Sequence, residues 1–137
     1  VMFCDLDGFK AINDSFGHQV GDDVLCAATS LLSSSVRTGD MVARLGGDEF
    51  VVVLGGVKGS AGGRHVAEQV VNVLDGGYWV NDLVRVPTVS VGLCLAQGRW
   101  RAEDLLSAAD EALYEAKRAG GGQVSVRELS APVEQIS

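Results

Sequence analysis

A chain of 137 residues carrying 18 Asp and Glu against 11 Lys and Arg, net charge −7, has the size of one domain that folds without staples. The acidic balance excludes the basic footprint that nucleic-acid binding needs, and no apolar run approaches the roughly 18 residues of a membrane span. Cys4, Cys26 and Cys94 are odd in number and form no CxxC spacing, which excludes a disulfide framework and favours a reducing, cytoplasmic setting.

Val1-Met2-Phe3-Cys4 reads as a short buried strand, ending in Asp5-Leu6-Asp7-Gly8-Phe9-Lys10, where strand gives way to loop. Val24, Leu25, Ala28, Leu31 and Leu32 then give the first helix an apolar face. Residues 40–54 read as strand, turn and strand. Val66, Ala67, Val70, Val73 and Leu74 mark a second helix that stops at Gly76-Gly77. Val89, Val91, Leu93 and Leu95 alternate with smaller residues, as in a strand with one face on a core. Ala102, Leu105, Leu106, Ala109, Ala112, Leu113 and Ala116 form the clearest amphipathic helix, followed by glycines and a short strand around Val124 and Val126. Residues 127–137 show no period and imply a loose tail after a domain spanning 1–126. The order implies an α+β fold, a mostly antiparallel central sheet flanked by helices.

Within the strand-turn-strand lies Arg44-Leu45-Gly46-Gly47-Asp48-Glu49-Phe50. A Gly-Gly pair accepts positive φ and has no Cβ to block a ligand, so Gly46 and Gly47 suit a tight hairpin with a phosphate or base against it. Adjacent side chains in extended backbone diverge, so Asp48 and Glu49 have different tasks. Residues 1–50 hold eight Asp and Glu against three Lys and Arg, while the other 87 hold ten against eight. Acid crowded at a strand end and a hairpin suits Mg²⁺, which takes one or two carboxylates beside substrate phosphates and inverts the local field.

With these motifs the chain resembles the GGDEF domain of diguanylate cyclases. The resemblance runs from Phe3 to about Val124, through Asp5 to Lys10, Ile12-Asn13-Asp14, Gly17-His18, Gly21-Asp22, Arg44 to Phe50, Val89 to Gly92, and Ala109 to Lys117. It implies a fold similar to the palm of nucleotide cyclases and polymerases, and condensation of two GTP into cyclic di-GMP and two pyrophosphates. Carried over by position, it implies that Asp5, Asp48 and the carbonyl of Leu6 hold Mg²⁺, with Mn²⁺ an alternative. Glu49 falls where a carboxylate helps deprotonate the 3′-hydroxyl or binds a second metal. Asn13 and Asp22 match the guanine readers; Lys10, Lys117 and the amides at Gly8 and Phe9 match the polyphosphate contacts. Arg37-Thr38-Gly39-Asp40 matches the Arg-x-x-Asp pattern of members that bind their product there and are inhibited by it, which makes Arg37 and Asp40 an allosteric pair. The chemistry implies a homodimer, because one half-site holds one GTP.

Two departures stand against the family pattern. Lys117-Arg118-Ala119-Gly120-Gly121-Gly122 places Gly121 where a phosphate-binding arginine is usual, so an arginine there is expected to tighten GTP binding. The chain also starts inside the first strand, without the preceding helix and turn, so it is expected to be part of a longer protein with an upstream sensory or regulatory region, through which it could be membrane-tethered. A catalytically weak domain that senses GTP or cyclic di-GMP is the alternative these departures support. His18 is expected to shape a loop, His65 to lie on the surface, and Trp79, Trp100 and Tyr114 to pack.

Overall fold

The apolar opening of the chain becomes the central strand of a sheet. In the computed structural model, which describes residues 1–55 and 59–130, β1 (Met2–Leu6) lies between β3 (Glu49–Val53) and β6 (Val89–Ala96). Beyond β3 lies β2 (Met41–Gly46), and beyond β6 lies β7 (Val124–Leu129), giving the order β2-β3-β1-β6-β7. Every neighbouring pair is antiparallel except β6 and β7. A parallel pair requires a long crossover, and α4 (Ala102–Arg118) supplies it. The remaining elements are α1 (Phe9–Phe16), α2 (His18–Ser34), α3 (Gly59–Leu74) and a separate small hairpin of β4 (Trp79–Val80) and β5 (Val84–Arg85). The α+β class and the mostly antiparallel sheet are as the sequence implies.

Alternation along the strands divides the molecule into layers. Met2, Cys4, Leu6, Phe50, Val52, Val89, Val91 and Leu93 join Val24, Ala28 and Leu32 of α2 and Ala67, Val70 and Leu74 of α3 in the main core. On the opposite face, α4 packs over β1, β6 and β7, with Ala108 and Ala109 against Cys94 and with Phe3 and Leu105 alongside. Glu103 and Asp104 in its first turn and Lys117 and Arg118 in its last complement the helix dipole. The β6 strand is therefore buried on both faces, not one, because Ser90, Gly92 and Cys94 lie beneath α4.

Other elements depart from the sequence expectations for local reasons. Where the sequence implies a loop after β1, α1 forms between Gly8 and Gly17; Phe9, Ile12 and Phe16 recur at helical spacing, with Phe9 buried and Ile12 packed against the main core, but eight residues carry only a short pattern. Arg127, Glu128 and Leu129 continue β7 against Cys94, Leu95 and Ala96, so the chain is ordered beyond 126; the rest of the expected tail, 131–137, lies outside the described residues. Trp79 and Tyr114 do not pack: they are 62% and 64% exposed. Tyr114 follows Leu113 by about 100° around α4, which turns it from the sheet, and Arg118 lies over its ring at 5.8 Å.

Contact between α4 and β6 depends on Gly92. A Cβ built there would overlap the carbonyl of Ala109 and the amide of Leu113, both backbone atoms of a helix that cannot shift alone. Gly92→Ala should therefore destabilise the domain by about 3 kcal/mol or more. Urea unfolding checks this, and an unchanged midpoint would contradict the packing.

Candidate active site

The strand register gathers the acidic residues at one end of the sheet. Asp5 of β1 pairs with Glu49 of β3 on one side and Ser90 of β6 on the other, so these side chains share the face covered by α4. Gly46 pairs with Glu49, leaving Gly47 and Asp48 as the two-residue turn, with Gly47 at φ +53. The Leu6 amide donates to the Asp48 carbonyl at 3.2 Å, and the Arg44 guanidinium donates to the Gly47 carbonyl at 3.0 Å. The turn is thereby tied to β1 and held from within the hairpin.

Asp5 is the most perturbed carboxylate here. Burial, then the facing Asp48 carboxylate, push its pKa up to about 6, against the lowering influence of Lys117. Its Oδ1 is buried with no hydrogen-bond donor. Two carboxylates can bond to each other only by sharing a proton, so once Asp5 ionises this oxygen is open to a cation. Asp5, Asp48 and the carbonyl of Leu6 form an all-oxygen set that fits a hard divalent ion. Among the described residues no group of three or more His, Cys, Asp or Glu side chains could by itself hold a metal ion.

Asp7, which the sequence shows only as part of a motif, is a hub. Its Oδ2 accepts from the Thr88 hydroxyl at 2.7 Å and the Gly122 amide at 2.9 Å, and its Oδ1 accepts from the Ser90 hydroxyl at 2.6 Å. The Lys117 ammonium lies 3.3 Å from Asp5 Oδ2 and 3.6 Å from Asp7 Oδ1, so the residue expected to meet a polyphosphate meets carboxylates here. The i, i+2 spacing of Asp5 and Asp7 was the available signal that both share a side.

Geometry also corrects the expectation for position 121. Gly121 has φ +75, and a Cβ there would stand 3.1 to 3.3 Å from the Asp7 carboxylate. An arginine would be strained in backbone and crowded against the hub, so tighter GTP binding does not follow from introducing it. Arg118, paired with the Tyr114 ring, is no substitute.

Asn13 and Asp22, the expected base readers, come together through α1 and α2. The Asn13 side chain lies directly on Gly21, where a Cβ would overlap its amide oxygen, and Asp22 follows at the next position. Asp22 lines a cleft of about 580 Å³ with Leu25, Cys26, Thr29, Ser30 and Arg44, between α2 and β2. The sequence did not single out the last five as a wall. Cys26 is the exposed thiol; Cys4 and Cys94 are buried, and burial pushes Cys4 up to about 12. Lys10, Gly8 and Glu49 are exposed, Phe9 is buried, and Asp48 is half-buried. His18 begins α2 with its side chain exposed, making no hydrogen bond to a described residue, and His65 is exposed on α3 as expected.

Arg37 and Asp40 lie at the other end of the β2–β3 hairpin. Asp40 accepts from the amides of Arg37 and Gly55, both at 2.9 Å, and the Arg37 guanidinium donates to the Gly55 carbonyl at 3.1 Å. The Gly55 amide, then the Arg37 amide and guanidinium, hold the Asp40 carboxyl below its ordinary range. The pair is thus separated from Asp48 by the length of β2, roughly 17 Å at strand rise.

A palm-type sheet with facing carboxylates at its central strand end and hairpin turn defines the nucleotide-cyclase class of domain. The family model for the diguanylate cyclase GGDEF domain matches residues 1–123, and the chain belongs to that family. It is 38% identical over 122 residues to the bifunctional diguanylate cyclase/cyclic di-GMP phosphodiesterase MucR of Pseudomonas aeruginosa, covering 88% of this chain and 18% of MucR. The solved GGDEF domain of TpbB from the same species has TM-score 0.83 at 35% identity, covering 93% of this chain and 76% of that one. The coiled coil and GGDEF domain of DgcB from Caulobacter crescentus, solved with cyclic di-GMP, has TM-score 0.79 at 25% identity, covering 92% and 68%. The chain spans 12% to 31% of the length of the curated relatives it matches.

Asp5 makes stability depend on pH in a defined direction. Its folded pKa of about 6 exceeds the unfolded value of roughly 3.9, so the folded state holds the proton more tightly. The contribution is present below about pH 4 and lost as pH rises through about 6. Without divalent metal, melting temperature should fall across that window relative to Asp5→Asn, and Mg²⁺ should remove the difference. A difference that grows in the opposite direction would mean that Lys117 outweighs burial and Asp48 at Asp5.

Proposed function

We propose that this domain condenses two GTP into cyclic di-GMP and two pyrophosphates, each 3′-hydroxyl attacking the α-phosphorus of the other nucleotide. The observation that supports it most is the donorless Asp5 Oδ1 facing Asp48 at the end of β1. Asp5, Asp48 and the Leu6 carbonyl would hold Mg²⁺ or Mn²⁺, which polarises phosphoryl oxygens and stabilises both attacking and leaving oxygens of an in-line displacement. Glu49, exposed beside Asp5 in the register, would take the hydroxyl proton or help hold a second metal. Asn13 and Asp22 read the base: guanine offers N1–H and N2–H₂ donors that adenine lacks, and a carboxylate left without them disfavours the wrong nucleotide.

Lys10, Lys117 and the amides at Gly8 and Phe9 bind the triphosphate, while Gly46 and Gly47 leave it room. Two such half-sites face each other across a two-fold axis, so the working form is a homodimer. Arg37 and Asp40 form a product-inhibition site: arginine forks onto a phosphate or stacks on guanine, and Asp40 accepts from the guanine edge. Both Asp40 oxygens already accept from backbone amides and its side chain is buried, so Asp40 would serve a guanine edge only by sharing those oxygens, and Arg37 is the exposed half of the pair. The domain works in the cytoplasm under an upstream sensory or regulatory region. No described helix is long and apolar enough to cross a membrane.

Incubation with GTP and Mg²⁺ should yield cyclic di-GMP, and Asp48→Ala should lose essentially all turnover while remaining folded. GTP binding without product in the wild type would favour the sensor alternative instead. Arg37→Ala should leave the initial rate nearly unchanged and abolish inhibition by added cyclic di-GMP, because its site lies a strand length from the chemistry. Undiminished inhibition would remove Arg37 from that role.

A further inference from the structure

Lys117 sits where the last turn of α4 meets the carboxylates, and its ammonium bridges Asp5 and Asp7 at 3.3 and 3.6 Å. The two partners differ in kind. Asp7 is anchored by the hydroxyls of Thr88 and Ser90 and the amide of Gly122, and the Ser90 hydroxyl oxygen itself accepts from Gly122 at 3.2 Å. Asp5 has one oxygen on Lys117 and another that is buried without a donor beside Asp48. Lysine is a compact point charge on a flexible four-carbon stem, so it can leave one carboxylate while keeping the other. Two carboxylates, Asp5 and Asp7, thus share one ammonium while Asp48 faces Asp5, and that ammonium covers the oxygen of Asp5 next to the unmet one.

We propose, resting on the function proposed above, that Lys117 is the resident counter-cation of Asp5 and gives it up when a divalent ion binds, carrying its charge to the triphosphate. Asp7 is then a positioning residue: it keeps Lys117 within reach of both places without touching substrate. The exchange gives the site a preference for metal that arrives with nucleotide. A bare ion must displace Lys117 with no new partner for the ammonium, whereas a metal nucleotide supplies phosphate oxygens to receive it. Before exchange, Lys117 also lessens repulsion between Asp5 and Asp48.

The test is Mn²⁺ binding without nucleotide, read from the paramagnetic signal of the free ion, on wild type, Lys117→Met and Lys10→Met. Lys117→Met should bind Mn²⁺ roughly three- to tenfold more tightly, a range set by solvent screening of a partly exposed ammonium. It should bind GTP more weakly. Lys10→Met should weaken GTP but leave Mn²⁺ affinity unchanged, since Lys10 makes no ion pair with Asp5. Lys117→Met that binds Mn²⁺ no more tightly than wild type, including the case in which neither binds, overturns the proposal. The unmutated protein gives an independent reading should the variant not fold: amine labelling of Lys117, quantified by mass spectrometry, should rise when Mn²⁺ is added alone and fall when GTP follows. Labelling indifferent to Mn²⁺ overturns it equally. Cyclic di-GMP formation is scored separately, so product from wild type with unaltered Mn²⁺ affinity in Lys117→Met removes the exchange and leaves the cyclase function standing.

Discussion

Everything in this domain is arranged around a carboxylate held ionisable at the edge of an apolar core. Asp5 belongs to the central strand, one residue from buried Cys4 on one side and buried Leu6 on the other. Burial penalises its charge, yet a hard-cation site needs that charge. The fold resolves the conflict locally, with Lys117 from α4 supplying one positive charge; under the proposed function a divalent ion shared with Asp48 would supply a second. A carboxylate of this kind cannot be repacked without moving β1, and β1 cannot move without the whole sheet.

Precision at the site comes from two close approaches. Gly92 lets α4 settle on β6, which sets the height of Lys117 above the sheet. Gly21 lets Asn13 cross α2, which brings it beside Asp22. Both depend on the absence of a side chain, and both act at a distance from the atoms they position. Substitution at either would be felt as poor ligand binding or as instability, according to which neighbour yields.

Much of the catalytic end was legible in the sequence because its parts are adjacent there. Gly46 to Glu49 announces a turn and two carboxylates in four letters, and Asp5 follows an apolar run short enough to be one strand. The Asp7 hub was not legible, because its partners Thr88, Ser90 and Gly122 lie 81 to 115 positions away and are ordinary residues in their own segments. The cleft wall was missed for a related reason: Thr29, Ser30 and Arg44 become neighbours only when α2 lies along β2. Alternation in β6 suggested one buried face, since periodicity reports the side chains of a strand and not the helix that crosses it. The helix α1 was missed although Phe9, Ile12 and Phe16 recur at helical spacing, because eight residues hold only about two turns of that pattern, and Tyr114 stands beside the apolar stripe of α4 without belonging to it.

Chain direction gives the molecule two poles. β1 runs toward the carboxylates from Val1, whose amino group donates to the Cys94 carbonyl at 3.1 Å, and β7 runs away from them to Leu129, which pairs with Ala96. The described chain therefore enters and leaves at the same pole, along with Arg37, Asp40 and Gly55. A label on an exposed side chain of that pole, such as Arg37, therefore stands a strand length from the carboxylates. A preparation tethered there should keep the carboxylate end turned outward, toward solvent or a second copy.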